Sequence, residues 1–538
     1  MTVAESIATL EGGGHPANKD EDVLAHLGYK QHFKREMNVW STMAFCFSIM
    51  AILGSFSTTL TFPITYGGNI GIVWGWFTAS CFAMCVSLSL AELCSAMPTV
   101  GGIYYWSAHL APRKWSALAA WITGWANLVG QVALICSIFS AVSDEISDAV
   151  TVASDFKVYY GSGTLYGIVL AVLLGNGFVC SCSTRIMARL NYLYMAVNIG
   201  GVIALIIILA VLGPKTSASV AFTQFENNSE WSNKGIVWIL SLTAGMWTLT
   251  GYDSVAHVAE ETTNAAHAGP IAMLSAVMGT AISGFILSIV HSFVMPDPAR
   301  LLSTNLKLPA AMLYYDIMGK HGFLAMWSIT IFKQFTSGTA QTLDAARALY
   351  AFARDDAVPF SRQLSTMNKY TSTPLNATWT MVALAAIVGL LMLQSTALTA
   401  LAGTSVIGLY ISYIVPIFLR ITSGRKTFKP GPWKLGFAAV PLGTISCLYV
   451  AFIVVILLFP ANPNPDVSVM NWAVLILGVV FLGASFAWVV SARHWFKGPI
   501  HEVDPDYVEP TEQTGMDVID KDKSKPEVEL SDFVFDSQ

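Results

Sequence analysis

The chain is organised as long apolar runs separated by short polar segments. A helix needs about 20 mostly apolar residues to cross the roughly 30 Å hydrocarbon core of a bilayer. Runs of this length recur along the chain and predict twelve membrane spans. The predicted spans are 41–62, 71–97, 115–142, 164–181, 190–212, 235–256, 271–295, 321–346, 375–394, 397–419, 435–460 and 471–492. The pattern therefore predicts an all-α polytopic membrane protein.

The polar ends divide the chain into three parts. Residues 1–40 predict an N-terminal tail without a removable signal peptide, and residues 41–492 predict the twelve-helix membrane domain. Residues 493–538 hold prolines, acids and a charged run at 521–525, too little apolar surface to offset chain entropy, so we expect a disordered tail. With both tails in the cytosol, 22 of the 29 lysines and arginines fall on the cytosolic side and six outside, which is the usual bias. We therefore predict that both tails are cytosolic.

Composition and motifs exclude several functions. Hydrophobic residues make up 54% of the chain and charged residues 12%, against about 25% charged residues in soluble domains. A net charge of -5 gives no electrostatic basis for binding nucleic acid. The sequence has no H-E-x-x-H, G-x-S-x-G or phosphate-loop motif and no C-x-x-C pair, so we expect no enzyme, no ATP-driven pump, no cofactor and no metal.

Two of the predicted spans carry a glycine among small hydroxyl residues, at 53–59 in span 1 and at 246–254 in span 6. One such run is common where helices pack closely, and its hydroxyls then bond to the preceding turn. Two runs that begin five spans apart match an inverted five-helix repeat with interrupted helices. There, freed amides can bind a carboxylate and freed carbonyls can bind a cation. We therefore predict that spans 1 and 6 are broken helices.

Charged residues within spans are costly and commonly functional. They are Glu92, Asp253, Lys333 and Asp344, accompanied by the titratable His257 and His291. Asp253, His257, Glu260 and Glu261 follow helical spacing and predict an acidic stripe that relays protons or closes a gate; a solvated helix end with an ion pair is the alternative for the two glutamates. Lys333 either replaces a bound sodium ion or compensates a carboxylate, or it extends outward from the end of its helix. Asp344 precedes Arg347 by one turn, which predicts an ion pair.

Several motifs then resemble those of a known family. They are the segments 73–76, 90–106, 248–261 and 351–356. The chain is similar over residues 28–497 to the amino acid–polyamine–organocation superfamily, in its amino acid/choline branch of GABA- and choline-type permeases. The resemblance implies the leucine-transporter-like 5+5 inverted repeat and uptake of an amino acid or amine by alternating access.

The interrupted segments and the resemblance together give a candidate site. The candidate substrate-binding residues are Gly54, Ser55, Phe56, Ser57, Thr58, Trp247, Thr250, Gly251 and Tyr252. The candidate proton-coupling residues are Asp253, His257 and Lys333. The resemblance assigns the substrate carboxylate to the span 1 segment and an aromatic gate to Trp247. Phe56 departs from the Gly-x-Gly that the family often has there.

The expected function is a secondary active permease for an amino acid or a related amine such as GABA, driven by protons. Sodium coupling stays open, because hydroxyl groups can also bind sodium. A choline or polyamine permease and a non-transporting nutrient sensor of the same fold are the alternatives. The partners expected for a proton-coupled permease are the substrate, the coupling proton and membrane lipid. We expect the plasma membrane, with a vacuolar or other internal membrane as the alternative. The span count places the loop around Asn227 outside, where its Asn-x-Ser sequon predicts glycosylation.

Overall fold

The computed structural model describes residues 16–393, 397–460, 462–463 and 470–500. Helices dominate this part of the chain, and ten of them are long and apolar enough to cross a membrane. Two further helices complete the predicted set of twelve. Span 6 is divided into short helices, and span 8 is interrupted by polar residues. The linker 394–396, which separates predicted spans 9 and 10, lies outside the described residues.

The spans observed are close to those predicted. They are span 1, Val39–Thr65; span 2, Gly68–Ala96; span 3, Ser116–Ala153; span 4, Ser162–Cys180; span 5, Thr184–Leu212; span 6, 234–257; span 7, Ala265–Val294; span 8, Pro309–Arg354; span 9, Leu375–Leu393; span 10, Ala397–Ile421; span 11, Gly436–Leu457; and span 12, Ala473–Trp495.

Shorter elements connect these spans. The helices are Pro16–His26, Gly102–Leu110, Ala218–Thr223, Pro298–Leu302 and Ser361–Leu364, with single turns at Ala259–Glu261 and Ser423–Arg425. Strands Tyr66–Gly67 and Glu226–Asn227 pair antiparallel between the loops that follow spans 1 and 5.

Spans 1 to 5 and spans 6 to 10 form two units, each of which begins with a broken helix. Spans 8 and 10 both pack against span 3, span 1 lies against span 8, and span 6 lies against spans 8 and 10. The most apolar window of span 3 is 100% buried, whereas that of span 12 is only 17% buried. Span 3 is therefore central, and span 12 presents most of its surface to lipid. The predicted twelve-helix fold with broken helices 1 and 6 is confirmed.

Two spans extend well beyond their predicted ends. Span 3 continues from the predicted end at 142 to Ala153, through residues that include Asp144, Glu145 and Asp148. A hydropathy criterion ends there, but the helix continues because protein rather than lipid surrounds it. Span 8 begins at Pro309 and has a kink at Gly319, whose φ is 66°. We call its first part, 309–318, the outer helix.

Residues near the N-terminus pack onto the helix ends. Within the predicted tail 1–40, Leu24, Tyr29, Phe33 and Met37 are buried against the membrane domain. Arg35 donates to the carbonyl of Thr262 at 2.6 Å, which attaches this segment to the end of span 6. At the other end of the chain, Phe496 is buried, and most of the predicted tail 493–538 lies outside the described residues.

Candidate functional site

The break in span 6 lies where the sequence predicts it. The helix Thr243–Thr248 stops, and helix Ser254–His257 starts after five residues. Gly251 has a φ of 91°, which is readily adopted by glycine, and a side chain there would contact Ile49 of span 1. Thr250, Gly251 and Tyr252 thus lie in unwound backbone at the crossing of the two broken helices.

The break in span 1 lies three residues earlier than its glycine. Helix Val39–Met50 ends, Ala51 adopts a φ of 22°, and a second half-helix runs over Ile52–Thr59. Residues 54–58 are therefore helical rather than unwound. The hydroxyls of Ser57 and Thr58 donate to the carbonyls of Leu53 and Gly54 at 2.9 and 3.2 Å, the back-bonding that a continuous helix predicts.

Close packing explains the glycine at position 54. A Cβ atom there would collide with the side chain of Gln334 on span 8. Gln334 is fully buried, and both of its amide atoms are without a hydrogen-bond partner among the described residues. Gly54 therefore allows spans 1 and 8 to approach each other at the second half-helix.

The remaining candidates of span 1 face its outer neighbours. Ser55 and Phe56 are buried, and the Phe56 ring lies 4.8 Å from His291 of span 7 and 5.6 Å from Trp76 of span 2. A small cavity beside Phe56 and Trp76 extends to Gly245 of span 6. Phe56 thus forms part of the outer wall of the crossing.

Span 8 donates to the carbonyls that the span 1 break leaves free. Lys333 donates its ammonium to the Ser48 carbonyl at 3.0 Å and to the Thr336 hydroxyl at 3.3 Å. One turn further, Ser337 donates to the Ile49 carbonyl at 2.7 Å. Lys333 is fully buried, so the alternative in which it extends outward is wrong. Its ammonium occupies a cation position at the broken helix.

Asp253 lies at the start of the second half of span 6 and is fully buried. Tyr413 of span 10 donates to one carboxylate oxygen at 2.5 Å, and Asn127 of span 3 donates to the other at 3.1 Å. The His257 Nε2 atom lies 3.6 Å from the second oxygen, the contact expected from their spacing. Asp253 therefore connects three spans to a titratable histidine.

His257 extends this network toward the ends of spans 6 and 8. Its Nδ1 atom lies 2.9 Å from the Val100 carbonyl, which only accepts, so Nδ1 carries a proton. A small cavity touches His257, Asn127, Tyr104 and Phe352 on that side. A water molecule in this cavity would connect His257 with the inner half of the protein.

The buried acid Asp344 does not form the predicted pair with Arg347. Gln131 of span 3 donates to the Asp344 carboxylate at 2.8 Å. The Arg347 guanidinium instead binds both carboxylate oxygens of Glu261. The sequence-based pairing failed because the chain folds back at the end of span 6 and brings Glu261 to the other face of Arg347.

The two glutamates at the end of the predicted stripe are buried rather than solvated. Glu260 lies 3.3 Å from the Arg354 guanidinium, and Glu261 pairs with Arg347. Helix Ser254–His257 covers a single turn, so the stripe leaves regular helical spacing after His257. The alternative of a solvated helix end is wrong, and the glutamates join the ends of spans 6 and 8.

The carboxylate of Asp355, directly after span 8, binds three distant parts of the chain. Asp355 accepts from the Tyr29 hydroxyl at 3.0 Å, the Tyr104 hydroxyl at 2.7 Å and the Ile500 backbone amide at 3.1 Å. Burial raises the pKa of the Asp355 carboxyl to about 6, and the adjacent Arg354 guanidinium opposes that rise. We call Asp355 and these three donors the inner latch.

Aromatic side chains line the span 6 break. Trp247 is buried and donates its indole N–H to the Ser137 hydroxyl at 3.3 Å. Tyr252 is fully buried, with its ring centroid 5.2 Å from that of Tyr413. These rings could surround an ammonium group through cation–π contacts.

The sequence missed a buried acid in the outer half. Glu145 of span 3 is fully buried, and neither carboxylate oxygen has a hydrogen-bond partner among the described residues. The hydropathy limit at 142 excluded it from the charged residues counted within spans. The apolar residues Val142, Ile146 and Val152 continue one face of the helix past residue 142. This pattern was the signal that could have extended span 3 to include Glu145.

The predicted sequon lies on an exposed loop between spans 5 and 6. Asn227 accepts from the Ser229 hydroxyl at 2.6 Å and donates to the Trp231 carbonyl at 2.7 Å. This loop is on the side opposite the inner latch, in agreement with the alternation of the spans.

Comparisons with known proteins place the chain among permeases. Residues 37–482 match a family model described as amino acid permease. The chain is 34% identical to the amino-acid permease BAT1 homolog of Oryza sativa, over 92% of this chain and 98% of the relative. It is 34% identical to the amino-acid permease BAT1 of Arabidopsis thaliana, over 89% and 96%, and 31% identical to the GABA-specific permease of Saccharomyces cerevisiae, over 94% and 90%.

Proposed function

The chain belongs to the amino acid permease family, and we propose that it imports GABA or a related amino acid together with protons by alternating access. Membership of this family makes it an integral multi-pass membrane transporter and not an enzyme.

One observation carries the proposal most directly: the two broken helices meet at their breaks. Gly251 lies against Ile49, two residues before the break at Ala51. Amides at the start of a helix have no intrahelical acceptor, and the helix dipole makes that end attractive to anions. The Leu53 amide at the start of this half-helix donates to the Asn198 amide oxygen at 3.3 Å, and a substrate carboxylate can replace that oxygen there.

The other end of an amino acid needs a site for its ammonium group. Trp247 and Tyr252 supply aromatic faces near the span 6 break, and Asp253 supplies a negative charge. GABA fits because it carries both a carboxylate and an ammonium. The name of the yeast relative, a GABA-specific permease, supports the same substrate.

Three residues support proton coupling. The Lys333 ammonium already donates to a carbonyl freed by the span 1 break, where sodium would otherwise find oxygen ligands. Asp253 and His257 form a buried acid and base pair, and the inner cavity lies beside His257. We propose that Asp253 carries the proton and that His257 exchanges it with the cytosolic side.

We further propose that both tails are cytosolic and that the plasma membrane is the site of action. This orientation leaves six basic residues outside, namely Lys157, Lys215, Lys234, Arg300, Lys307 and Lys320. An introduced cysteine near Lys426 should then resist impermeant reagents on intact cells. Labelling of that cysteine from outside would contradict the orientation.

Uptake into proteoliposomes tests the function. GABA, proteinogenic amino acids, choline and polyamines are each offered under an imposed pH gradient or an imposed sodium gradient. We expect GABA or a related amino acid to accumulate on the pH gradient alone. Accumulation that follows sodium at constant pH would refute proton coupling. Preference for choline or a polyamine would refute the substrate, and binding without uptake would indicate a sensor.

A further inference from the structure

The buried acid Glu145 of span 3 lies apart from the network around Asp253. Glu145 has a relative exposure of 0%, and neither of its carboxylate oxygens has a hydrogen-bond partner among the described residues. An ionised carboxylate without a partner is very costly in a low-dielectric interior, so such a group normally takes up a proton. The conformation described here therefore requires neutral Glu145.

The charges around Glu145 add to this requirement. Asp144 and Asp148, on the same helix, are the charged groups that act on it. Asp148 accepts from the Lys307 and Leu308 amides at 2.7 and 3.0 Å, and the Lys307 charge acts on Asp144 and Asp148. Among the residues that the structure describes, the charged groups that act on Glu145 are thus two further acids and no cation.

The outer helix brings a hydroxyl group near this acid, but its proton is already used. Tyr314 interacts electrostatically with Glu145, and its oxygen lies 2.9 Å from the His291 Nε2 atom. The His291 Nδ1 atom lies 2.9 Å from the Leu287 carbonyl and must donate to it. In the neutral ring Nε2 is therefore an acceptor, and Tyr314 donates to His291 rather than to Glu145.

The same hydroxyl connects the outer helix with the broken helix. Tyr314 lies 3.3 Å from the Ser57 hydroxyl in the second half of span 1. Gly319 joins the outer helix to the rest of span 8. Its φ is left-handed, and an added Cβ atom there would meet no neighbouring atom within 4 Å. A rotation of the outer helix about this residue would separate Tyr314 from span 1 and admit water to Glu145.

We propose that Glu145 is the outer protonation site of the transport cycle. Its carboxylate takes a proton from the outside solution while the outer half is open, and the outer half closes around the neutral acid. The proton returns to the outside solution when this half reopens, so net proton import belongs to Asp253. This inference rests on the proposed proton coupling and adds to it the group that responds to external pH. It predicts that external acid favours the conformation in which the outer half is closed. The ratio of closed to open protein should rise by up to about tenfold for each unit that the external pH falls.

A labelling experiment measures this closure without measuring transport. Leu306, which is 6% exposed, precedes the amides that Asp148 binds, and Leu306→Cys reports on opening of this region. An impermeant maleimide is applied between about pH 5 and about pH 8, and labelling is corrected for the chemical reactivity of free thiol at each pH. The protein without Leu306→Cys gives the background from native cysteines.

We expect corrected labelling of Leu306→Cys to fall on acidification, and we expect Glu145→Gln to make it slow at every pH. Asp144→Asn, at the half-buried neighbouring acid, is the matched control and should keep the pH dependence. Glu145→Asp keeps a titratable group and should also keep it. If Glu145→Gln retains the pH dependence of its parent, or if Asp144→Asn removes it, the inference is wrong.

Uptake separates this inference from the proposed function. Glu145→Gln should still accumulate GABA on a pH gradient through Asp253, but its KM should no longer fall as the outside becomes acidic. If the wild type shows no proton-driven uptake while Leu306→Cys labelling depends on Glu145, the proposed coupling fails and the gating role stands. If the wild type is proton-driven and KM in Glu145→Gln still follows external pH, the gating role fails.

Discussion

Replacing Asp253 by Asn removes the proposed proton carrier while preserving its shape. The carboxylate accepts from Tyr413 and Asn127, and His257 faces it at 3.6 Å. Hydrogen bonds to a charged group contribute about 1.5–3 kcal/mol and neutral ones about 0.5–1.5 kcal/mol. The asparagine oxygen can accept from Tyr413, and Asn127 then turns its own amide oxygen toward the new NH2 group. Weakening both bonds from charged to neutral costs about 2–3 kcal/mol, less than the roughly 5–15 kcal/mol that stabilises a typical folded domain. We expect the variant to fold.

Its effect on coupling should be much larger. One carboxylate that carries one proton per cycle allows about tenfold accumulation of a zwitterion for each unit of pH difference. Two units would then allow about 100-fold accumulation in the wild type and none in Asp253→Asn. The variant mimics a permanently protonated acid, so exchange of labelled for unlabelled GABA should continue.

The assay is uptake into proteoliposomes at zero membrane potential, with exchange measured on the same preparation. Glu92→Gln is the matched control, because Glu92 is also a buried acid but pairs with Arg420 at 3.1 Å, at the ends of spans 2 and 10. The control should retain accumulation on the pH gradient. If Asp253→Asn still concentrates GABA on that gradient, Asp253 is not the proton carrier.

Three further substitutions or conditions test other parts of the molecule. Trp247→Ala should raise the apparent KM for GABA about tenfold or more without reducing the amount of protein in the membrane, because an aromatic wall is lost. Gly54→Ala should abolish uptake, since the new Cβ would collide with Gln334, whereas Gly175→Ala, with open space around it, should be silent. The Asp355 carboxyl has a pKa of about 6 in the inner latch, above the value of about 3.9 for a free aspartate. The latched state therefore binds more protons than the unlatched state, and it is favoured as the pH on the latch side falls. From about pH 7 to about pH 5 the latch should strengthen about tenfold, measured as protection of the N-terminal segment from protease in inside-out vesicles; unchanged or reduced protection would contradict this.

The number and order of the spans could be predicted because lipid imposes a length and composition on every helix that crosses it. The break of span 6 could also be predicted, since Gly251 is required there by its left-handed backbone. The break of span 1 could not. Ala51 adopts a conformation that its side chain does not favour, and the nearby glycine serves a packing contact with Gln334 that is distant in sequence.

The partners of the buried charges were beyond the sequence for a similar reason. Local spacing correctly predicted that Asp253 faces His257, but Arg347 pairs with Glu261, 86 residues away along the chain, instead of Asp344. Glu145 was missed because hydropathy measures exposure to lipid and span 3 is surrounded by protein. Long-range packing decides such contacts, and a single sequence does not encode it in any local pattern.

The inner latch has a consequence for how the protein is made. Its three donors come from residues 29, 104 and 500, and its acceptor is residue 355, so the latch draws on nearly the whole length of the chain. A ribosome must therefore synthesise the last span before the backbone amide of Ile500 can reach Asp355. Until then, both broken helices have been synthesised but Asp355 lacks one of its three donors. The complete inner latch therefore forms only after all twelve spans have been synthesised.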